Sequence, residues 1–66
     1  MELSVRGKLN DGTVIVSQGN EFYKVHVKEG YATPIKGFNP HDFVTSNGEE
    51  NAAALRIVQD KRRIIG

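Results

Sequence analysis

Three turn dipeptides punctuate the first half of the chain at short intervals: Asp11-Gly12, Gly19-Asn20 and Glu29-Gly30. Asp-Gly and Gly-Asn are favoured in two-residue hairpin loops, whose backbones need the positive φ that such residues reach easily. The segments between them are rich in β-branched and aromatic residues, which suit a pleated sheet surface. Strands are therefore expected over 2–10, 13–18, 21–28 and 31–36. Pro34 lies in the last of these and suits an edge, where a missing donor is tolerated.

Two-residue loops would fix the pairing by counting. Around Asp11-Gly12, Leu9 would face Val14, Lys8 would face Ile15 and Arg6 would face Ser17. Around Gly19-Asn20, Ser17 would face Phe22, Val16 would face Tyr23 and Val14 would face Val25. Directly opposed residues share a face. One face would then collect Leu3, Val5, Leu9, Val14, Val16, Tyr23, Val25 and Val27. The other would collect Arg6, Lys8, Thr13, Ile15, Ser17, Phe22, Lys24, His26 and Lys28. A one-residue slip would break this separation.

Residues 37–47 contain Gly37, Asn39-Pro40 and Ser46-Asn47-Gly48 at their boundary and read as loop. Phe38, Phe43 and Val44 are expected to tuck under the sheet as a satellite core. A helix is predicted over 48–63. Ser46 with Glu49, or Asn47 with Glu50, would form a capping box at its start. Acids begin it and Lys61, Arg62 and Arg63 end it, in keeping with the helix dipole. Ala54, Leu55, Ile57, Val58 and Ile65 make a stripe that would cover the apolar sheet face.

The expected fold is α+β: a three- to four-stranded antiparallel β-meander (2–36), a loop (37–47) and one C-terminal α-helix (48–63) packed on one face. The alternative is a small all-β barrel of the oligonucleotide-binding or SH3-like kind, with 56–58 and 63–65 as short strands. A chain of 66 residues starting at Met1 reads as one complete small domain, 1–66. Such a domain buries only about 60% of its unfolded surface, so its core is small. Without cysteine it has neither disulfides nor thiolate metal sites to reinforce it. Self-association into a homodimer is one remedy. No leader-like or membrane-length apolar run is present, and a cytoplasmic protein is expected.

A net charge of +1 is too small to speak for nucleic acid by itself, so the placement of the cations matters. Arg6, Lys8, Phe22, Lys24, His26 and Lys28 fall on the same predicted face. Cations can neutralise phosphates while exposed rings stack on unpaired bases. An ordinary solvated face is the plain alternative, against which stand Ile15 and Phe22 as apolar neighbours. Lys61, Arg62 and Arg63 could extend the footprint or simply complement the helix end.

The two histidines, His26 and His41, do not supply the several convergent ligands that a metal site requires. No nucleophile elbow, phosphate loop or dinucleotide fingerprint occurs. Glu49 and Glu50 at a helix start would stay ionised, the wrong state for a general acid. A chain this short is also expected to lack a concavity of several hundred Å³. Neither enzymatic activity nor a cofactor is expected.

Gly12-Thr13-Val14, then Phe22 and Val25 with Val27, then Gly30 and Ile35-Lys36-Gly37 loosely resemble the first strands of oligonucleotide-binding barrels of the translation-initiation-factor-one type. That resemblance implies a barrel that binds DNA or RNA. The final third departs from it, since Ala52-Ala53-Ala54 does not suit a barrel strand. The sheet-then-helix order is similar to the arm-binding domains of phage-type integrases, which lay a three-stranded sheet in a DNA groove. The sequence-level expectation is a nucleic-acid-binding module. A protein-interaction module, such as a small regulator or inhibitor of a larger protein, is the alternative: Ile15, Phe22, Tyr31 and Ile35 ringed by charge would resemble an interface core with its rim.

Overall fold

The computed structural model describes residues 2–66. The tight Gly19-Asn20 turn joins β2 (Val14–Gln18) to β3 (Glu21–His26) in the register counted from the sequence, with Ser17 opposite Phe22 and Val14 opposite Val25. β4 (Tyr31–Ile35) pairs antiparallel with β3, with Pro34 opposite Tyr23 on the outer strand of the sheet.

The first hairpin departs from the expected register. β1 (Leu3–Leu9) meets β2 through a loop of three residues, Asn10, Asp11 and Gly12. The Leu9 N–H donates to the Thr13 carbonyl at 2.8 Å, and the Gly12 N–H to the Leu9 carbonyl at 3.0 Å. Gly12 has φ +94°, the left-handed residue that closes a three-residue hairpin. Lys8 therefore opposes Val14, and Gly7 opposes Ile15. A bulge at Arg6 then takes up one residue, so that Val5 opposes Val16 and Leu3 opposes Gln18. The pairing is one residue off the expected register at Lys8 and two off at Leu3 and Val5, so the bulge restores the faces of Leu3 and Val5 but not their partners.

A fifth strand, absent from the sequence reading, closes the other side. β5 (Phe43–Val44) pairs with Lys8 and Leu9, giving the order β4-β3-β2-β1-β5. The sheet is open and does not close into a barrel. Asn39 caps a short 3-10 turn, Pro40–Asp42, that leads into β5.

α1 (Gly48–Gln59) starts where Asn47 Oδ1 accepts from the Glu50 N–H at 2.8 Å. The expected helix over 48–63 is cut short. Asp60 leaves helical geometry and its carboxylate accepts from the Arg62 N–H, starting a new 3-10 turn, Lys61–Arg63. The chain then returns to the sheet: Ile64 bridges Ala32 in parallel and the Ile65 N–H donates to the Ala32 carbonyl at 2.7 Å. Of the expected stripe, Ala54, Ile57 and Val58 are buried and Leu55 packs beside them, but Ile64 takes the place expected of Ile65, which is 55% exposed. They meet Val14, Val16, Val25 and Ala32 on one face of the sheet. The architecture is α+β, with one helix on one face.

Candidate functional site

The face away from α1 is where sequence reasoning placed a basic and aromatic surface. Register puts Gly7, Ile15, Ser17, Phe22, Lys24, Thr33 and Ile35 there. This face carries its own apolar cover. Phe38 meets Phe22 edge to face at 5.2 Å and stacks on Phe43 at 5.4 Å. Phe43 in turn lies directly over Gly7, where an added Cβ would sit 2.5 Å from the ring. Ile15 is fully buried and Phe22 half-buried. The expected satellite core thus forms over the outer face, except for Val44, which is 45% exposed.

The six expected nucleic-acid contacts do not share one surface. Arg6, Phe22, Lys24 and His26 lie on the outer face. Lys8 stands on the helix face, where its Nζ meets Glu50 Oε2 at 2.8 Å. The three-residue loop put it there, because the slip moves each side chain between Leu9 and Gly7 to the opposite face. Lys28 lies beyond β3, in the turn 27–30, and is exposed.

The outer-face cations already have local partners. Arg6 Nε donates to Ser17 Oγ at 2.9 Å, and Lys24 Nζ lies 3.3 Å from Asp11 Oδ2. His26 stacks on Tyr31 at 4.5 Å and 19°. The Thr13 hydroxyl and backbone N–H both donate to Asp11 Oδ1, at 2.6 and 3.0 Å. These two bonds, with Lys24 beside them, lower the Asp11 pKa from 3.8 to about 2. Asp11 therefore stays ionised and keeps a negative charge among the cations of this face. Arg62 and Arg63 are likewise held by Asp60, which lowers the Asp60 pKa chiefly through the bond from the Arg62 N–H. Among the described residues, no buried side-chain nitrogen or oxygen lacks a partner, so no orphaned polar group on this face awaits a ligand.

The helix face offers a different feature. Because α1 stops at Gln59, it leaves an open groove of about 460 Å³ over the end of the sheet near the Gly19-Asn20 turn. This volume overturns the expectation that so short a chain holds no concavity of several hundred Å³. Leu3, Tyr23, Val58 and Ile64 supply its apolar walls. Gln18, Gln59 and Lys61 supply polar groups. Glu21, opposite Gln18 in the ladder, stands on the same sheet face, outside the groove lining. Leu3, Tyr23 and Val58 were legible as core-face residues, but the groove was not. Its one sequence signal is Asp60, a capping-type residue directly before three cations.

Among the described residues, no group of three or more His, Cys, Asp or Glu side chains could hold a metal ion. Among the described residues, no helix is long and apolar enough to cross a membrane. Comparison with protein-family models, with curated proteins and with solved structures finds no match.

Proposed function

We propose that this chain is a non-enzymatic protein-interaction module whose docking site is the groove between the end of α1 and β1–β3. The observation that carries this reading is a groove with apolar walls and a polar border of Gln18, Gln59 and Lys61. Protein interfaces have this anatomy, with an apolar centre and a polar border. The occupant that fits is a segment of a partner protein presenting a large apolar side chain, with a carboxylate placed to reach Lys61. A polyanion gains less here, because Lys61 is the one cation among the described lining residues.

Selection of peptides from a random display library against the full chain tests this reading. Enriched peptides should carry an apolar anchor beside an acid. Gln59→Glu and Lys61→Glu, both at exposed positions, should weaken them about tenfold, equivalent to about 1.4 kcal/mol, because each sets a carboxylate against the peptide's acid. Enriched peptides that bind both variants unchanged would sink the groove as the site.

One observation favours a second reading. Arg6, Lys24 and the stacked His26–Tyr31 pair still share the outer face, a combination that can engage a single strand through phosphate contacts and stacking. Fluorescence anisotropy against single-stranded DNA, duplex DNA and RNA separates the two. Micromolar binding with a steep salt slope, lost in Lys24→Ala, would replace the first reading with the second.

A further inference from the structure

The two outer edges of the sheet are protected unequally. On the β4 edge, Pro34 removes a donor and the Ile64–Ile65 segment covers Ala32. On the other edge, β5 reaches only Lys8 and Leu9. Residues 3–6 of β1 have a strand neighbour on the β2 side alone, among the described residues. An uncovered edge is a template for another strand.

The residues along that edge specify what the strand is. We infer that a second copy of this chain pairs there, β1 against β1, antiparallel and centred on Ser4. A two-fold axis perpendicular to the sheet through Ser4 sets Leu3 opposite Val5 of the second copy and Glu2 opposite its Arg6. Leu3 and Val5 are half-buried on the helix face. Directly opposed apolar and opposite-charge pairs both stabilise a ladder, and symmetry makes each pair twice. Centring on Leu3 would put Glu2 opposite Ser4, and centring on Val5 would put it opposite Lys8 across the Arg6 bulge. Only the Ser4 register matches both the charges and the apolar side chains.

Arg6 is built for such a contact. The bulge directs it to the outer face, where Nε is held by Ser17 Oγ at 2.9 Å. Among the described residues, neither terminal nitrogen of its guanidinium has a partner. These two donors match a carboxylate in a forked geometry. Glu2 is exposed and lies two residues from Ser4, where strand alternation carries it to the same face. The product is one continuous sheet across two chains, with both helices on the same side. It shares Leu3 with the groove wall but requires nothing else of the groove reading, and swaps at Glu2 and Arg6, neither of which lines the groove, test it separately.

Sedimentation equilibrium of the full chain at low salt tests the pairing. Dimer should be detected below about 1 mM, the weak end of the affinity range. Glu2→Arg and Arg6→Glu should each weaken association about tenfold, because each sets like charges opposite one another. The double variant Glu2→Arg/Arg6→Glu should restore it to within about threefold. Arg6→Glu also forfeits the Ser17 bond, so the exposed Glu2→Arg variant carries the test if the other fails to fold. A monomer up to about 1 mM, a dimer indifferent to the single swaps, or a double variant that stays weak would each overturn the proposal.

Discussion

Gly7→Ala probes the closure of the outer face, on which the assignment of the groove depends. The added methyl would lie 2.5 Å from Phe43 Cγ and Cδ2 and 2.8 Å from Cδ1. Carbon atoms rest at about 3.5–4.0 Å, so the ring would have to retreat by about 1 Å. It has little room to do so. The Phe43 backbone is held opposite Leu9 in β5, and its ring stacks on Phe38, which abuts Phe22. Overpacking of this kind costs about 1–3 kcal/mol. Removing a strand glycine returns about 0.5–1 kcal/mol. With the ring at 2.5 Å the cost falls in the upper half of that range, about 2–3 kcal/mol, so the net loss should be about 1–2.5 kcal/mol, or a fall in Tm of roughly 4–20 °C for a chain this size.

Thermal and urea unfolding followed by circular dichroism measure that loss. Gly7 does not have positive φ, so the cost is steric and should depend on the ring. In a Phe43→Ala background the same substitution should be neutral or stabilising, a coupling that a double-mutant cycle isolates. A Gly7→Ala variant with unchanged or raised Tm would mean that Phe43 does not sit on Gly7. The outer face would then be open, and the nucleic-acid reading would regain its platform.

Two further outcomes follow from the same contacts. Asp11 has its pKa lowered in the folded chain, from 3.8 to about 2. Its contribution is therefore present above pH 3.8 and is lost as pH falls toward 2; Asp11→Asn should flatten acid unfolding across that window, and an identical acid profile would contradict the assignment. Asn47→Ala removes the cap that accepts from the Glu50 N–H and should cost about 1 kcal/mol by urea titration, whereas Asn47→Asp should be nearly neutral.

How much of this was legible in the sequence differs from element to element. Gly19-Asn20 fixed the β2–β3 register correctly because a two-residue loop leaves no freedom in the count. Asp11-Gly12 did not, because the same dipeptide also ends a three-residue loop once Asn10 joins it. The bulge at Arg6 was invisible, since a single extra residue leaves Leu3 and Val5 on the faces they would have had anyway. The larger error was the premise of one buried face and one wet face. Ile15 and Phe22 looked like exposed apolar residues only because Phe38 and Phe43, far off in sequence, were not known to cover this face, Phe38 against Phe22 and Phe43 over Gly7, the partner of Ile15. Lys8 was misplaced for the first reason, and the aromatic platform for the second. The helix end was missed because a run of cations complements a helix dipole as readily as its Arg62 and Arg63 bind Asp60.

The most direct test of the groove as the docking site is chemical-shift mapping of the full chain titrated with a display-selected peptide. Perturbations should centre on Leu3, Gln18, Tyr23, Val58, Lys61 and Ile64, which line the groove. Perturbations centred instead on Arg6, Phe22, Lys24 and His26 would place binding on the face that Phe38 and Phe43 cover, and would contradict the account.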